Sequence, residues 1–278
     1  MPSIGNFSTI RVDVNAQHVA TVELDRGAKS NALNSQMWDE LPQALEVLDS
    51  RDDLRVVILR GQGRNFCAGI DFSALTGLAA AVNMPCPGRA REALRRSILR
   101  WQDSLTSLER CRWPVIAAMQ GACVGAGVDM ITAADIRYCT ADATFCVKEV
   151  DLAIVADMGT LQRLPGIVGE GIARELALTA RVIGAEEAKA IGLVSAVFPD
   201  VQALYTEVDR IAATMAAKSP LATTGTKRVM LHCRDHSVSD GLDYVATWNS
   251  AQMLSDDMQK VMQMLASKSR EQPRFSKL

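Results

Sequence analysis

Apolar and polar residues alternate over positions 8–14 and again over 18–24, the two-residue period of half-buried strands, with a polar turn at 15–17 between them. Residues 25–34, DRGAKSNALN, are rich in turn formers. The period then lengthens. Trp38, Leu41, Leu45 and Leu48 fall on one helical face, with Ser35 placed to cap the helix and Pro42 placed to kink or delay it. A short apolar run at 56–59 predicts a buried strand. It leads into a glycine-bearing loop, GQGRNFCAGIDFSAL, at 61–75, after which residues 76–87 are irregular and rich in small residues. A long helix is predicted over 89–109 and a second buried strand over 114–119, followed by a glycine-rich turn at 121–127 and a helical pattern over 128–134. Further helices are predicted over 170–179, 185–191 and 201–218, a strand over 193–197, and helix throughout from Pro220 to Ser269.

This succession of strand, loop, helix and strand predicts an α/β fold of crossover units with stacked sheets. The strands stop near Phe198, so the chain divides into a core over 1–200 and a helical region over 201–278. A length of 278 residues suits one large domain or one domain with an appendage.

Composition narrows the function classes. A hydrophobic content of 48% and a formal net charge of −2 describe an ordinary soluble globular protein and argue against nucleic acid as the main partner. No apolar run approaches the length of a membrane span, and the first fourteen residues carry neither a signal-peptide core nor an Arg-rich transit pattern. The seven cysteines include no C-x-x-C pair; Cys67, Cys123, Cys139 and Cys146 lie in apolar segments and read as reduced, packed thiols. The three histidines, His18, His232 and His236, lie far along the chain from its centre, which argues against a histidine dyad or a zinc site. Arg89, Arg91, Arg95, Arg96 and Arg100 fit a solvated helix face better than a patch for an anionic ligand.

Two loops carry the candidate chemistry. FCAGID (66–71) and GACVGAGVD (121–129) each follow an apolar strand, and their small residues allow close approach of the backbone to a ligand. The second enters a helix, whose free N–H groups favour negative charge. One amide from each loop would form a two-donor hole for an oxyanion. Three acids, Asp129, Glu149 and Asp157, sit in otherwise apolar company. Each also has a plainer reading: Asp129 complementing its own helix dipole, Glu149 in an exposed ion pair beside Lys148 and Asp151, and Asp157 as the N-cap of the helix that opens MGTLQRL.

Taken together, these motifs resemble the crotonase superfamily, also called enoyl-CoA hydratase/isomerase. The resemblance runs through DRGAKSNALN, FCAGID, PVIAAMQGACVGAGVD, ADIRYCTADATF, VGEGIARELALTA, GAEEAKAIGLVSAVF and KSREQPRF, nearly the whole chain. It implies a spiral of stacked ββα units with a C-terminal helical region, and trimers often paired into homohexamers. It implies a fatty acyl-CoA substrate whose thioester oxygen meets the backbone N–H groups of Ile70 and Ala126. Ala68, Gly69, Asp71, Gly125 and Gly127 would line the site, and no cofactor is needed beyond the CoA that the substrate carries. Asp129 and Glu149 fall where hydratases of the superfamily place two catalytic glutamates. Asp157 falls where hydratases generally have a small residue and where the branch acting on dienoyl-CoA thioesters has an acid. The resemblance therefore implies conversion of 3,5-dienoyl-CoA to 2,4-dienoyl-CoA, with Glu149 as base at C2, Asp157 as acid at C6 and Asp129 biasing the pair electrostatically. Hydration, Δ3,Δ2-enoyl-CoA isomerisation and a non-catalytic acyl-CoA-binding subunit are the competing readings. Ser276, Lys277 and Leu278 match the peroxisomal address that an import receptor reads, which predicts a peroxisomal enzyme with a flexible, exposed tail.

Overall fold

The structure is a computed structural model that describes residues 4–72, 85–268 and 271–278. The irregular stretch expected at 76–87 lies outside these residues as far as residue 84, and Pro87 already opens a helix.

Strands β1 (Ile10–Val14) and β2 (Val19–Leu24) form the expected hairpin, with Ile10 opposite Leu24. Then β3 (Val56–Gly61), β4 (Val115–Met119), β6 (Ile136–Thr140) and β9 (Ala196–Phe198) add in parallel, giving one sheet in the order β1-β2-β3-β4-β6-β9. A second sheet joins β5 (Ala122–Val124), β7 (Thr144–Cys146) and β8 (Ile183–Gly184). Single bridges, Cys67 to Cys123 and Leu33 to Ile70, continue the pattern. The chain thus winds as a spiral. Each turn gives a strand to the first sheet, then a short strand or bridge beside it, then a helix. The glycine-rich turn read at 121–127 accordingly contains a strand, β5, whose three residues are too few to show a period.

Burial follows the alternation of the strands. Val57 and Leu59 of β3 and Val115, Ala117 and Met119 of β4 enter the main core. Val56, Ile58, Ile116 and Ala118 point to the other face, where Leu204, Val208 and Ala212 of α7 (Val201–Ala216) cover them. Both faces are buried, which is why these strands read as unbroken apolar runs.

Helix α1 (Ser35–Asp49) buries Trp38, Leu41, Leu45 and Leu48 as expected, and Met37 besides. Its cap is Asn34 rather than Ser35. The extended backbone at Asn34 lets its side-chain oxygen accept the Met37 N–H at 2.9 Å, and Ser35 becomes the first helical residue. Pro42 lies inside the helix without delaying its start, because the buried face continues through it. Helix α2 (Pro87–Arg110) packs on α1, where the rings of Trp38 and Trp101 meet tilted by 32° with centroids 5.8 Å apart. Arg89, Arg91, Arg95, Arg96 and Arg100 are exposed. Arg96 pairs with Glu92 and Arg100 with Asp39, so this is a solvated face.

The remaining helices are α3 (Ala126–Thr132), α4 (Thr160–Val168), α5 (Glu170–Thr179), α6 (Ala185–Ala190), α8 (Pro220–His232), α9 (Val238–Gln252) and α10 (Asp256–Ala266). The helix expected throughout from Pro220 is broken twice, where Ser237 and Ser255 cap new helices. Buried Lys227 ties α8 to the core through Asp135 at 2.8 Å and the carbonyls of Leu108 and Trp113. The tail departs from the expected flexible one. Ser276 and Lys277 are exposed, but Arg55 donates to the Ser276 carbonyl at 2.9 Å. The Leu278 N–H donates to the Asp52 carbonyl at 3.1 Å, and its side chain packs on the main core.

Candidate active site

The spiral brings Asp129, Glu149 and Asp157 together from three segments. Asp129 is the fourth residue of α3, which opens at Ala126, earlier than the apolar period suggested. Gly125 makes this early start possible: its φ of 52° turns the chain from β5 into the helix. Glu149 begins a short 3-10 turn, Glu149–Leu152, after β7, and Asp157 lies in the loop before α4. A Cβ on Gly125 would stand 3.2 Å from a carboxylate oxygen of Glu149, so the turn that starts α3 also borders the acid.

The three carboxyls share one electrostatic environment. Burial, and then the neighbouring charge of Asp129, pushes Glu149 up to about 7; Asp157 adds to the same shift. Burial raises Asp129 to about 6, with Asp157 reinforcing the shift and Thr160 and Arg163 opposing it. Burial also raises Asp157, which is half-buried. The group titrates as a coupled set.

The plainer readings of the acids give way to a specific arrangement. Lys148 pairs with Asp151, leaving buried Glu149 without that cation. The N-cap of α4 is Gly159, so Asp157 is not a cap. The carboxylate that serves the start of α4 is Asp129, whose Oδ1 accepts the Thr160 N–H at 2.7 Å. Asp129 does complement a helix dipole, but from across the fold rather than within its own helix alone. Its Oδ2, and Oε2 of Glu149, are buried with no hydrogen-bond partner among the described residues. An unpartnered buried carboxylate oxygen is costly unless it holds a proton or meets a ligand.

The two loops also present the backbone N–H groups of Ile70 and Ala126. The Gly69 carbonyl accepts the Leu33 N–H at 2.8 Å. The peptide is planar and trans, so the Ile70 N–H points the opposite way, away from Leu33. The Gly125 carbonyl accepts from Val128 and Asp129 along α3, so the Ala126 N–H points back out of the helix start. Neither N–H donates to a backbone carbonyl among the described residues. Gly69, with φ 95°, holds the two loops together; a Cβ there would lie 3.0 Å from the Val124 carbonyl and 3.8 Å from the Ala126 nitrogen. At Gly127 a Cβ would come within 2.9 Å of the Cys67 carbonyl, so α3 also presses on the first loop.

The remaining expected site residues brace the loops. The Ala68 N–H donates to Ser30. Asp71 donates its N–H to Leu33, and its carboxylate pairs with Arg26 at 2.8 Å. The sequence reading missed the polar residues that fix this geometry. Buried Asn31 accepts the Arg26 N–H and donates to the carbonyls of Gln62 and Asn65. Asn65 accepts the Ala122 N–H at 3.0 Å, joining the first loop to β5. Asparagines among turn formers in two glycine-bearing loops were the available signal, since their side chains commonly bond nearby backbone.

Paired amide donors beside buried carboxylates of raised pKa are the equipment for moving a proton next to a carbonyl while its oxygen carries charge. The comparisons agree with that class. Residues 15–277 match the family model described as Enoyl-CoA hydratase/isomerase, and the chain belongs to this family. It is 52% identical to the peroxisomal Delta(3,5)-Delta(2,4)-dienoyl-CoA isomerase of Arabidopsis thaliana, over 92% of this chain and 91% of that one. It is 43% identical to the mitochondrial Delta(3,5)-Delta(2,4)-dienoyl-CoA isomerase of Rattus norvegicus, over 98% of this chain and 84% of that one. The crystal structure of an enoyl-CoA hydratase from Bacillus anthracis superimposes with a TM-score of 0.86 at 30% identity, covering 96% of this chain and 99% of that one.

The raised pKa of Glu149 has a consequence for stability. Its folded value of about 7 exceeds its ordinary value of 4.5, so the folded state keeps its proton longer than the unfolded state does. Stability therefore falls as pH rises between those values and stays reduced above them. Glu149→Gln should melt higher than wild type at about pH 8, by roughly 1–3 kcal/mol, and the difference should shrink toward zero near pH 4. Thermal unfolding of both proteins across this range checks it; a variant less stable than wild type at pH 8 would count against a buried, unpaired Glu149.

Proposed function

We propose that the protein is a Δ3,5-Δ2,4-dienoyl-CoA isomerase, and the observation that carries this reading is the third carboxylate, Asp157, within the electrostatic reach of Glu149 and Asp129. The thioester oxygen accepts from the Ile70 and Ala126 N–H groups. Ionised Glu149 takes a proton from C2 of the 3,5-diene, and the electron pair of that bond delocalises into a dienolate whose oxygen the two amides stabilise. Protonated Asp157 delivers a proton to C6, and the double bonds come to rest at C2–C3 and C4–C5. Glu149 then holds the proton that Asp157 has lost, and transfer between them, directly or through solvent, resets the site. Asp129, held on α3 by the Thr160 N–H of α4, keeps negative charge beside Glu149 and raises its basicity. The route uses no cofactor besides the CoA of the substrate.

A hydratase must hold water between two acids. Here one oxygen of Asp129 is engaged by the Thr160 N–H, and the third acid has no role in adding water, which favours isomerisation. A binding subunit has no use for unpartnered buried carboxylates.

The same reading extends to assembly and location. Val155, Leu178, Val182, Val238, Leu242 and Leu254 are each more than 60% exposed on the single chain, and apolar side chains left this open support burial in a homotrimer or homohexamer. The peroxisomal name of the Arabidopsis relative and the Ser276–Lys277–Leu278 tripeptide support a peroxisomal enzyme delivered by an import receptor; the rat relative is named mitochondrial. Receptor capture requires the tail to leave Arg55 and Asp52. Light scattering should give a mass of three or six chains, and a monomer would reject the assembly. A cytosolic protein in cells that import other cargo bearing the same tripeptide would reject the location.

The decisive test of function separates the two proton steps. Asp157→Asn should fold, still exchange the C2 proton of a bound 3,5-dienoyl-CoA with deuterated solvent, and lose roughly 10²–10⁴-fold in conversion. Glu149→Gln should lose both activities. Near-wild-type conversion by Asp157→Asn would return the chain to the general hydratase/isomerase group.

A further inference from the structure

Asp157 sits in the loop of Ala156, Asp157, Met158 and Gly159; Ala156 and Met158 on either side of it are buried in the main core, but Asp157 itself is only half-buried. Apolar packing of its own side chain does not fix its place. A stripe of polar residues on α2 also holds the loop. Gln102 donates from Nε2 to the Asp157 carbonyl at 2.6 Å. Thr106 accepts from Arg163 Nη2 at 3.0 Å, and Glu109 Oε2 accepts from Arg163 Nε and Nη2 at 2.9 and 2.7 Å. Residues 102, 106 and 109 follow one another at helical spacing, so one face of α2 meets both the loop and the first turn of α4. Arg163 reaches back to the Met158 carbonyl at 3.4 Å and lies against Gly159, where a Cβ would stand 1.8 Å from Nη1. From the other side, Asp129 holds Thr160. The stretch from Asp157 to Arg163 is therefore tied at its start, middle and end.

We propose that Gln102 is a positioning residue for Asp157: its hydrogen bond sets the peptide that carries the acid and so places the carboxyl at the far end of the diene, while the Thr106–Arg163–Glu109 contacts anchor the frame against which it acts. This rests on the isomerase reading. Gln102 touches no reacting atom. Its effect belongs to the delivery of the second proton and not to removal of the first, which Glu149 performs from a separate turn after β7.

Gln102→Met keeps the length of the side chain and removes the donor. Conversion of 3,5-dienoyl-CoA to the 2,4-diene should fall by roughly ten- to a hundredfold, since small misplacements of a reacting group carry costs of that order. Solvent exchange at C2 and KM should stay within about twofold of wild type. In an Asp157→Asn background the same substitution should have almost no further effect on conversion, because the group it positions is already gone. Conversion by Gln102→Met within about twofold of wild type would overturn the proposal. So would a parallel fall in exchange and conversion with a lowered melting temperature, or full additivity with Asp157→Asn. If Asp157→Asn itself converts normally, the isomerase reading fails and this inference with it. If Asp157→Asn stalls while Gln102→Met does not, the isomerase stands and the role of Gln102 falls alone.

Discussion

Ionised carboxylates crowded in a medium of low polarisability repel one another and lack the hydration that would stabilise them. Asp129 and Glu149 are both buried, and Asp157 lies close enough to raise them further. The surroundings divide the strain unequally. Asp129 receives the Thr160 N–H and faces the positive end of α4, with Arg163 contributing at longer range. Glu149 pairs with no cation among the described residues, since Lys148 turns to Asp151. Asp157 keeps partial contact with solvent. One group is thereby held toward the charged form while its neighbour becomes a stronger base, the separation of roles that acid–base chemistry near neutral pH requires.

The spiral supplies the geometry. The parallel bridge from Cys67 to Cys123 sets the loop after β3 beside the loop after β4, although they are far apart in the chain. Asn65 joins them by accepting the Ala122 N–H, while Asn31 and the Arg26–Asp71 pair tie the loop after β2 to the loop after β3. Planar peptides do the rest: once Gly69 and Gly125 give their carbonyls to the scaffold, the following N–H groups must face outward. The outward turn of both N–H groups follows from sheet and helix hydrogen bonding and needs no special side chain.

The arrangement is stabilised elsewhere. Two buried layers, one on each face of the large sheet, supply the folding energy that tolerates unpartnered acids. Helix α2 serves both purposes. Leu105 and Leu108 enter the core, while Gln102, Thr106 and Glu109 on another face hold the segment that carries Asp157.

Much of this was legible in the sequence because it depends on local periodicity or on motif chemistry. The alternation in β1 and β2, the apolar runs of β3 and β4, the face of α1 and the long α2 all follow from burial acting at a fixed spacing. The two loops and three acids stood out because glycine and buried carboxylate are expensive where they are not needed. The tertiary structure decided how those residues are used. Asn34 rather than Ser35 caps α1, because backbone conformation chooses between two good caps. Asp129 serves α4, a helix that begins thirty-one positions later, while Asp157, which stands next to that helix in the sequence, does not. The terminal tripeptide lies against Asp52 and Arg55. Gln102 faces Asp157 across fifty-five positions. Local pattern reports what a residue needs, a partner or burial, but the partner's identity is a matter of distance in space, and only the packed chain sets that distance.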